Sequence, residues 1–419
     1  MSRAARPGAD GRRPLVVVVA EARPMRGGIA TFAETITEDP ILARDFDVQL
    51  LNTARVATRE GGRFNLDNVR FALVDAWHVF KASRHADIVH LQLVADPGLP
   101  SLRAAALNLA AAAGRAKLIA HVHSAVGNAG RPEFAAYGRV DRLALRTLGL
   151  ADLVCTVSTV GTATMRSLAP GTWVETVDNA VDLADFPPGD ADGEPPTVLF
   201  VGVICRRKGL FERARAARRL RERGVRDWRL VVVGGQGPTP QTEYDEIVAE
   251  FDAAGLREAM VGPEYGDQIK ARLAQADIFT LPSFLEGQPI AIIEAMASGL
   301  PVVGTSIGAV PDLIRDGVEG RVVEPGDDAA LADALGEVIT DRETRRRMSR
   351  ASRLRAEQGH GLDRLSARLA DLYRAVLAGR RSAPDGTTPA ADPGATAVRG
   401  GATAVGSGAT DGTAAVGHP

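Results

Sequence analysis

The sequence predicts an α/β protein built from two doubly wound domains that face each other across a cleft. Short β-branched runs alternate with longer helical stretches, which is the pattern of a parallel sheet wrapped by helices. The rhythm is interrupted once, at the acidic and proline-rich stretch 182–197, and then resumes. The chain has 419 residues, whereas single cores stop growing at roughly 250–300 residues. Two domains joined by a linker account for both observations.

Apolar runs locate the expected strands on either side of the linker. In the first half they lie at 15–20, 46–51, 87–93, 117–122, 152–157 and 173–177. In the second half they lie at 198–203, 229–233, 258–261, 277–281, 301–304 and 320–323. Sheets of this class bind ligands at the carboxyl ends of their strands. A cleft between the two domains is therefore the expected site.

Composition sets the domain boundaries. The tail is rich in Gly, Ala, Thr and Pro with few charges, so it cannot bury enough surface to order itself. The domain map is a disordered basic arm at 1–13, a first domain at 14–185, a linker at 186–196, a second domain at 197–362, an amphipathic helix at 363–378 and a disordered tail at 382–419.

Charge and cysteine content narrow the function classes. The formal net charge of −2 argues against a nucleic-acid partner, which would require a strongly basic domain. Two cysteines in different domains make a disulfide framework improbable. The run Leu15–Ala20 is too short for a signal core, and no run reaches the ~18 apolar residues of a membrane span. We expect a cytoplasmic protein. The basic arm and the alanine-rich stretch 102–114 leave a peripheral contact with an anionic membrane open.

Residues 282–303 carry the most informative motif, PSFLEGQPIAIIEAMASGLPVV. Pro289 suits the first position of a helix, and the run Ile290–Ala297 is apolar on nearly every face, which predicts a buried helix. Glu286 and Glu294 lie on either side of the helix start. A carboxylate in such surroundings needs a cation, backbone donors or a ligand.

The helix start itself predicts an anion site. Backbone N–H groups at Gly287, Gln288 and Ile290 are free at the positive end of the helix. Both carboxylates would repel a phosphate unless they accept hydrogen bonds from neutral hydroxyls of the same ligand. A ligand with phosphates in the middle and hydroxyls at both ends is a nucleotide sugar.

Lys208 is a second candidate for phosphate binding. The chain uses lysine only at 81, 117, 208 and 270 and writes its other cations as arginine. Lys208 follows the expected strand 198–203, so its ammonium could reach a diphosphate in the cleft. A solvated lysine at a helix start is the alternative.

Histidines and glycines in the first half are weaker signals. His121 and His123 lie two residues apart at a strand end and so point to the same face. A zinc pair lacks a third ligand at a recognisable spacing, so we expect no metal site. His123 could cap the following loop or face a ligand. Gly27 and Gly28 open a helix and would allow close approach of the backbone to a phosphate or an acceptor.

The motif resembles the signature of the retaining glycosyltransferases of sequence family four, also called glycosyl transferases group 1, which have the GT-B fold. The resemblance rests on Glu286 and Glu294 with AMASGLPV at 295–302, and spans roughly 14–378. It continues through QADIFTLPS at 275–283, FVGVICRRKG at 200–209, GAVPDLIRDGVEGRVVEPGD at 308–327, AHVHS at 120–124 and DNAVDLADF at 178–186.

The resemblance implies a hexosyltransferase that needs no bound metal or other cofactor and uses a nucleotide-sugar donor, UDP-sugar ahead of GDP-sugar. By resemblance, Glu286 and His123 face the transferred sugar as catalytic-site residues. Donor binding falls to Gly28, Arg207, Lys208, Gly287, Gln288, Pro289, Ile290 and Glu294, with Glu294 on the ribose diol. The helix 363–378 would cross back to the first domain. The acceptor would be a glycan, a lipid-linked glycan or a small molecule, as in polysaccharide or glycoconjugate biosynthesis.

One position departs from the family pattern. The family often has an arginine directly after the glycine of the strand at 198–203, and here that position is Val203. Arg206 or Arg207 would then supply the second positive charge. Other functions on the same fold are a sugar-nucleotide epimerase, a phosphorylase, or a nucleotide-sugar-binding protein without transfer activity.

Overall fold

The computed structural model describes residues 12–25, 27–54, 66–126, 137–237 and 239–382, apart from the side chains of 66–68. Most of the expected arm, and the expected tail after Ser382, lie outside the described residues. Arg12, at the end of the expected arm, forms an ion pair with Asp87 at 2.9 Å.

The first lobe is built on a parallel sheet with the strand order β2-β1-β3-β4-β5-β6. Its strands are β1 Leu15–Ala20, β2 Asp47–Asn52, β3 Ile88–Leu93, β4 Lys117–Val122, β5 Leu153–Thr156 and β6 Val174–Thr176. Its helices are α1 Gly28–Thr37, α2 Leu42–Asp45, α3 Leu66–Ser83, α4 Leu99–Ala112, α5 Arg139–Arg146 and α6 Thr159–Leu168.

The second lobe repeats this plan with the strand order β12-β11-β10-β7-β8-β9. Its strands are β7 Thr197–Val201, β8 Arg229–Val233, β9 Met260–Gly262, β10 Ile278–Leu281, β11 Val302–Thr305 and β12 Gly320–Val323. The later helices are α7 Leu210–Glu222, α8 Gln241–Ala253, α9 Asp267–Gln275, α10 Ile290–Ala297, α11 Val310–Leu313, α12 Asp328–Thr340, α13 Arg342–Gly359 and α14 Leu362–Leu377. Each expected apolar run overlaps one observed strand, which confirms the predicted α/β class.

Alternation along β1 explains how the first sheet is covered on both faces. Val16 and Val18 belong to one buried cluster, together with apolar residues of α1, α2 and α14. Val17 and Val19 belong to another, together with residues of α3, α4 and α5. The last described helix, α14, therefore packs on the first lobe although it follows the second lobe in the chain. None of the described helices is both long and apolar enough to cross a membrane.

Two loops bring the lobes into contact at the carboxyl ends of their strands. The segment between β10 and α10 approaches the loop after β4, and α11 approaches the start of α6. Thr159 donates to Asp312 from both its backbone N–H and its hydroxyl, at 2.9 and 2.8 Å. The cleft edge of each sheet therefore faces the other.

Candidate functional site

Glu286 lies in the loop that follows β10, at the cleft edge of the second lobe. It is buried, and its Oε1 lies 2.6 Å from Lys208 Nζ. Its Oε2 lies 3.9 Å from an Arg207 nitrogen. Burial alone would raise the pKa of Glu286, but the charges of Lys208 and Arg207 outweigh it and hold the pKa below its ordinary value. Glu286 is therefore an ionised carboxylate beside two cations.

The turn Arg206–Lys208 follows β7 and orients its three cations differently. Arg207 donates to the Leu285 carbonyl at 2.7 Å, so it lies against the Glu286 loop. Arg206 points away, with its guanidinium 4.9 Å from the Phe211 ring and 3.6 Å from Glu246. Of the two arginines considered for the second positive charge, only Arg207 lies beside Glu286.

Lys208 is not the solvated side chain of the alternative interpretation. Its side chain is 13% exposed, and its ammonium is held by Glu286. An ammonium has three donors, so it can keep this bond and still donate to a phosphate oxygen. Lys208 and Glu286 thus form one ion pair, which no local pattern in the sequence predicts.

Helix α10 begins one residue later than expected. Pro289 lies at the N-cap, with a ψ of 113°, and Ile290 is the first helical residue. Pro289 has no N–H, so the free donors at this end are those of the first helical turn, from Ile290 onward. The positive end of α10 is thus directed at the loop that carries Glu286.

Glu294 lies inside α10, and burial raises its pKa to about 7, although the charge of Lys270 lowers it in part. No hydrogen bond or ion pair joins its carboxylate to any residue that the structure describes. Lys270 itself pairs with Asp185 at 2.9 Å. Of the three kinds of partner expected for Glu294, the described residues supply neither a paired cation nor a backbone donor, so the ligand stays a prediction.

Two glycines allow the lobes to approach each other closely at this point. A Cβ on Gly287 would lie 1.8 Å from the carbonyl oxygen of His123, so only glycine fits there. A Cβ on Gly28 would lie 3.3 Å from the Ile290 side chain. Because Gly28 opens α1 and Ile290 opens α10, the positive ends of two helices face the same gap.

His123 sits in this gap as a neutral base. Its Nε2 is 2.7 Å from Gln92 Oε1, and its ring packs edge-on to Phe32 at 4.9 Å. Burial lowers its pKa to about 3. Since the Gln92 oxygen can only accept, His123 Nε2 carries the proton and Nδ1 is an acceptor. A neutral ring suits a sugar hydroxyl better than a general-acid role.

His121 belongs to the interior of the first lobe. Its ring stacks on His123 at 4.3 Å and on His90 at 5.5 Å. Burial, followed by the charges of His123 and His90, lowers the pKa of His121 well below its ordinary value. No three His, Cys, Asp or Glu side chains within the described ranges form a group that could hold a metal ion.

Sequence reasoning missed the residues that hold Gln288. Asn179 donates from Nδ2 to the Gln288 carbonyl at 2.9 Å, and Gln288 donates to Asp178 at 2.6 Å. The segment DNAVDLADF had been noted only as a family element. Its role as a clamp between lobes depends on tertiary contacts that no local pattern encodes.

Asp96 is a second missed residue. It follows β3 at the cleft edge of the first lobe and is half-buried. Burial raises its pKa, with the charge of Arg207 lowering it and that of Glu286 raising it. Both of those residues belong to the other lobe, so Asp96 faces the site across the cleft. Its position directly after a strand was the available signal.

Comparison with known proteins finds a family whose sequence profile matches the elements around this site. The sequence profile of the family described as glycosyl transferases group 1 matches residues 183–355, which include Lys208, Glu286 and Glu294. This part of the chain is thus similar to glycosyl transferases group 1.

The curated relatives share about a third of the matched residues with this chain. The alpha-maltose-1-phosphate synthase of Mycobacterium tuberculosis is 31% identical over 196 residues, 45% of this chain and 50% of that protein. The D-inositol 3-phosphate glycosyltransferase of Salinispora tropica is 30% identical over 234 residues, 51% of this chain and 48% of that protein. The chain spans about half the length of these curated relatives.

Solved structures show that the chain has the GT-B fold. The sucrose-phosphate synthase of Thermosynechococcus elongatus superposes with a TM-score of 0.72 at 20% identity, over 88% of this chain and all of that one. The HepE protein of Anabaena, solved with UDP and glucose, gives a TM-score of 0.64 at 16% identity, over 86% and 99% of the two chains.

Proposed function

We propose that this protein is a retaining glycosyltransferase that moves a hexosyl group from a nucleotide sugar to a hydroxyl of a glycan, a glycolipid or a small molecule. The carrying observation is the arrangement around α10: two helix starts and two cations converge on one gap, and Glu294 has no partner among the described residues. A diphosphate suits the helix starts and the cations, and a ribose diol suits the Glu294 carboxylate.

The donor would lie along the start of α10. Its diphosphate accepts hydrogen bonds from the backbone of Ile290, from the start of α1 at Gly28, and from Lys208 and Arg207. Glu294 accepts from the ribose hydroxyls. The sugar then lies between Glu286 and His123. The side chain of Glu286 is 9% exposed, and His123 is partly exposed. Gly287, Gln288 and Pro289 hold the backbone of this loop in place.

Transfer with retention needs no attack by a protein carboxylate. The bond between the anomeric carbon and the diphosphate oxygen breaks, and that oxygen keeps the electron pair. The acceptor oxygen bonds to the anomeric carbon on the same face, and its proton passes to the departing phosphate. Glu286 binds sugar hydroxyls, and these charge-assisted bonds strengthen as the sugar becomes oxocarbenium-like.

The nucleotide is proposed to be uridine diphosphate, ahead of guanosine diphosphate. Support comes from two observations of different kinds. The HepE structure contains UDP. In this chain, the loop after β9 is fixed by two bonds from Arg272 to Glu264, at 2.9 and 2.7 Å. A fixed loop at that strand end suits recognition of a base by backbone groups.

Thermal-shift measurements with UDP-, GDP- and ADP-sugars test the donor class. A ligand at 100 times its Kd stabilises a protein by about 2.7 kcal/mol. The same donors are then incubated with acceptor, and the anomeric configuration of the product is read by NMR. An inverted product, or a covalent sugar on Glu286 trapped with a slow fluorinated donor, would contradict the mechanism. Donor binding without turnover on any acceptor would favour a binding protein.

We also propose that transfer requires no divalent metal. The diphosphate charge is met by Lys208, Arg207 and two helix starts, so a cation has no further charge to neutralise. Treatment with EDTA should leave the initial rate within about twofold, and restoration of a lost rate by Mg²⁺ or Mn²⁺ would contradict this.

A further inference from the structure

The outer surface of the first lobe has an unusual composition on three neighbouring helices. Helices α3, α4 and α5 cover the same side of the first sheet, because they contribute Val79, Leu107 and Leu145 to one buried cluster. We call their outward surface the α3–α5 face. Its exposed residues are Arg70, Leu73, Trp77, His78, Lys81, Leu102, Leu109, Ala112, Arg139, Val140, Arg142, Leu143 and Arg146.

Large apolar side chains on this face are well exposed. Leu73 and Trp77 are 65% and 54% exposed, and they lie one helical turn apart on α3. Val140 and Leu143 on α5 are 63% and 66% exposed. Surface apolar residues are normal when scattered singly, but a contiguous set marks an interaction site.

No carboxylate is exposed on the described parts of these helices. Asp75 is buried and accepts a bond from Arg103 at 3.0 Å. Asp141 is only partly exposed, and its Oδ1 accepts from Gly98 N and Ser101 Oγ, both at 2.7 Å. In a chain with 52 acidic and 50 basic residues, a surface on which none of the described acids is exposed is selective.

Among the described residues, the three arginines of α5, Arg139, Arg142 and Arg146, have no ion-pair partner. Lys81 has its ammonium over the Trp77 ring, 5.3 Å from the centroid. Arginine and lysine next to exposed Leu, Val and Trp form the combination that binds the interface of an anionic bilayer.

We propose that the α3–α5 face docks on an anionic lipid bilayer, with Leu73, Trp77, Val140 and Leu143 in the headgroup boundary and the cations on acidic headgroups. A second copy of the same face is a poor partner, since it would bring like charges together. The position also fits transfer to a lipid-linked acceptor. Asp141 of α5 anchors the Gly98–Ser101 turn, which directly follows Asp96 at the cleft.

Vesicle co-sedimentation of the full chain tests the proposal without any sugar donor. The vesicles contain phosphatidylcholine alone or with 30% phosphatidylglycerol, at 50 and 500 mM salt. We expect binding only to the anionic vesicles, and strongly weakened binding at the higher salt, because the attraction is screened. Trp77 fluorescence should shift to the blue on binding, and Trp77→Phe should remove most of that shift.

The variant Arg139→Gln/Arg142→Gln/Arg146→Gln should bind anionic vesicles about 100-fold more weakly, at roughly fivefold for each arginine. The matched control is Arg226→Gln/Arg229→Gln/Arg257→Gln, three exposed arginines of the second lobe without an ion pair to any described residue. It should bind within about twofold of the natural protein. A second variant, Val140→Thr/Leu143→Gln, should also bind the vesicles more weakly. Its binding should stay more dependent on salt than that of the triple arginine variant, because it keeps the three arginines.

Absent binding at 50 mM salt, or equal losses in the face and control variants, would overturn the proposal. So would a dimer that Leu143→Gln converts to a monomer in light scattering, since a second copy would then occupy the face. Donor-induced thermal shifts separate this result from the proposed function. The face variants should keep them, and vesicle binding by a protein that binds no nucleotide sugar would refute only the transferase proposal.

Discussion

At the residue scale, burial decides what each carboxylate of the site can do. Glu286 and Glu294 lie eight residues apart in one motif, yet their pKa values move in opposite directions. Two cations hold Glu286 ionised, whereas Glu294 has only the remote charge of Lys270. The same residue type therefore serves as a fixed charge at one position and as a titrating group near neutral pH at the other.

Replacing Glu294 with Gln should change both stability and nucleoside binding. Below pH 4.5 the group is protonated in the folded and unfolded chains and has no effect. As the pH rises from 4.5 to about 7, only the unfolded chain ionises, so the natural protein loses up to about 3 kcal/mol of folding free energy. The variant lacks this loss and should gain Tm relative to the natural protein between pH 5 and 8.

Calorimetry with uridine provides the functional half of that test. The ionised carboxylate is the better acceptor for a ribose diol, so uridine should bind the natural protein more tightly at pH 8 than at pH 6. Glu294→Gln should bind it about tenfold more weakly at pH 8, at about 1.5 kcal/mol for a charged hydrogen bond. Unchanged affinity at both pH values would remove Glu294 from the nucleoside site.

Replacing Lys208 with Met should weaken UDP binding by more than tenfold and leave uridine binding nearly unaffected, because uridine has no diphosphate for the ammonium to contact. Arg206→Met is the matched control, since this neighbouring cation faces Phe211 and Glu246 instead. Calorimetry with both ligands decides the assignment. Equal losses for uridine and UDP in Lys208→Met would show that the lysine does not read phosphate.

Stability must be followed in the same experiment. Lys208→Met leaves Glu286 buried with one fewer cation, which should lower Tm. The double variant Lys208→Met/Glu286→Gln removes the uncompensated charge and should regain Tm without regaining UDP affinity. Recovery of both would mean that the lysine acts only through Glu286.

At the scale of single elements, the start of α10 depends on a glycine that no helix propensity explains. Gly287 lies against the carbonyl oxygen of His123 and lets the loop before α10 pack closely on the first lobe. The local sequence gave Gly287 as a free backbone donor near a helix start. Its packing role depends on His123, which follows β4 and lies 164 positions earlier in the chain.

Gly287→Ala should therefore separate the loop from His123 and reduce donor affinity by at least tenfold. The added Cβ would need the backbone to move, since it would lie 1.8 Å from that oxygen. Gly359→Ala is the matched control, because a Cβ there meets nothing within 4 Å. Donor binding and Tm are measured for both. Equal donor affinities would contradict the close contact.

At the scale of the whole molecule, a few polar contacts between the lobes fix the cleft. Asp312 of α11 accepts two bonds from Thr159 of α6, and Gln288 is held by Asp178 and Asn179. Helix α14 returns to the first lobe, where the Tyr373 hydroxyl is hydrogen-bonded to His90 Nδ1 at 2.8 Å. The two lobes are thus joined by the chain segment that leads back to α14 and by polar contacts at the cleft edge.

Asp312→Ala should loosen the lobes without unfolding either, because it leaves both buried cores intact. We expect a larger radius of gyration in small-angle X-ray scattering and weaker donor binding. The unpaired donors of Thr159 should lower the free energy that holds the lobes together by about 1–3 kcal/mol. The control is Asp245→Ala, an exposed acid of α8 whose one side-chain hydrogen bond within the described residues is with Gln241. An unchanged radius of gyration and donor affinity would show that this contact is dispensable.

The sequence by itself determined the α/β class and the strand positions, because hydrophobic periodicity is local, and the helix-start chemistry of residues 282–303 predicts where the donor binds. Tertiary structure decided which charges meet. It paired Lys208 with Glu286, chose Arg207 over Arg206, left Glu294 without a partner among the described residues and brought Asp96, Asp178 and Asn179 to the cleft. Distances between side chains from different strands depend on sheet order and lobe contact, and these are properties of the folded chain.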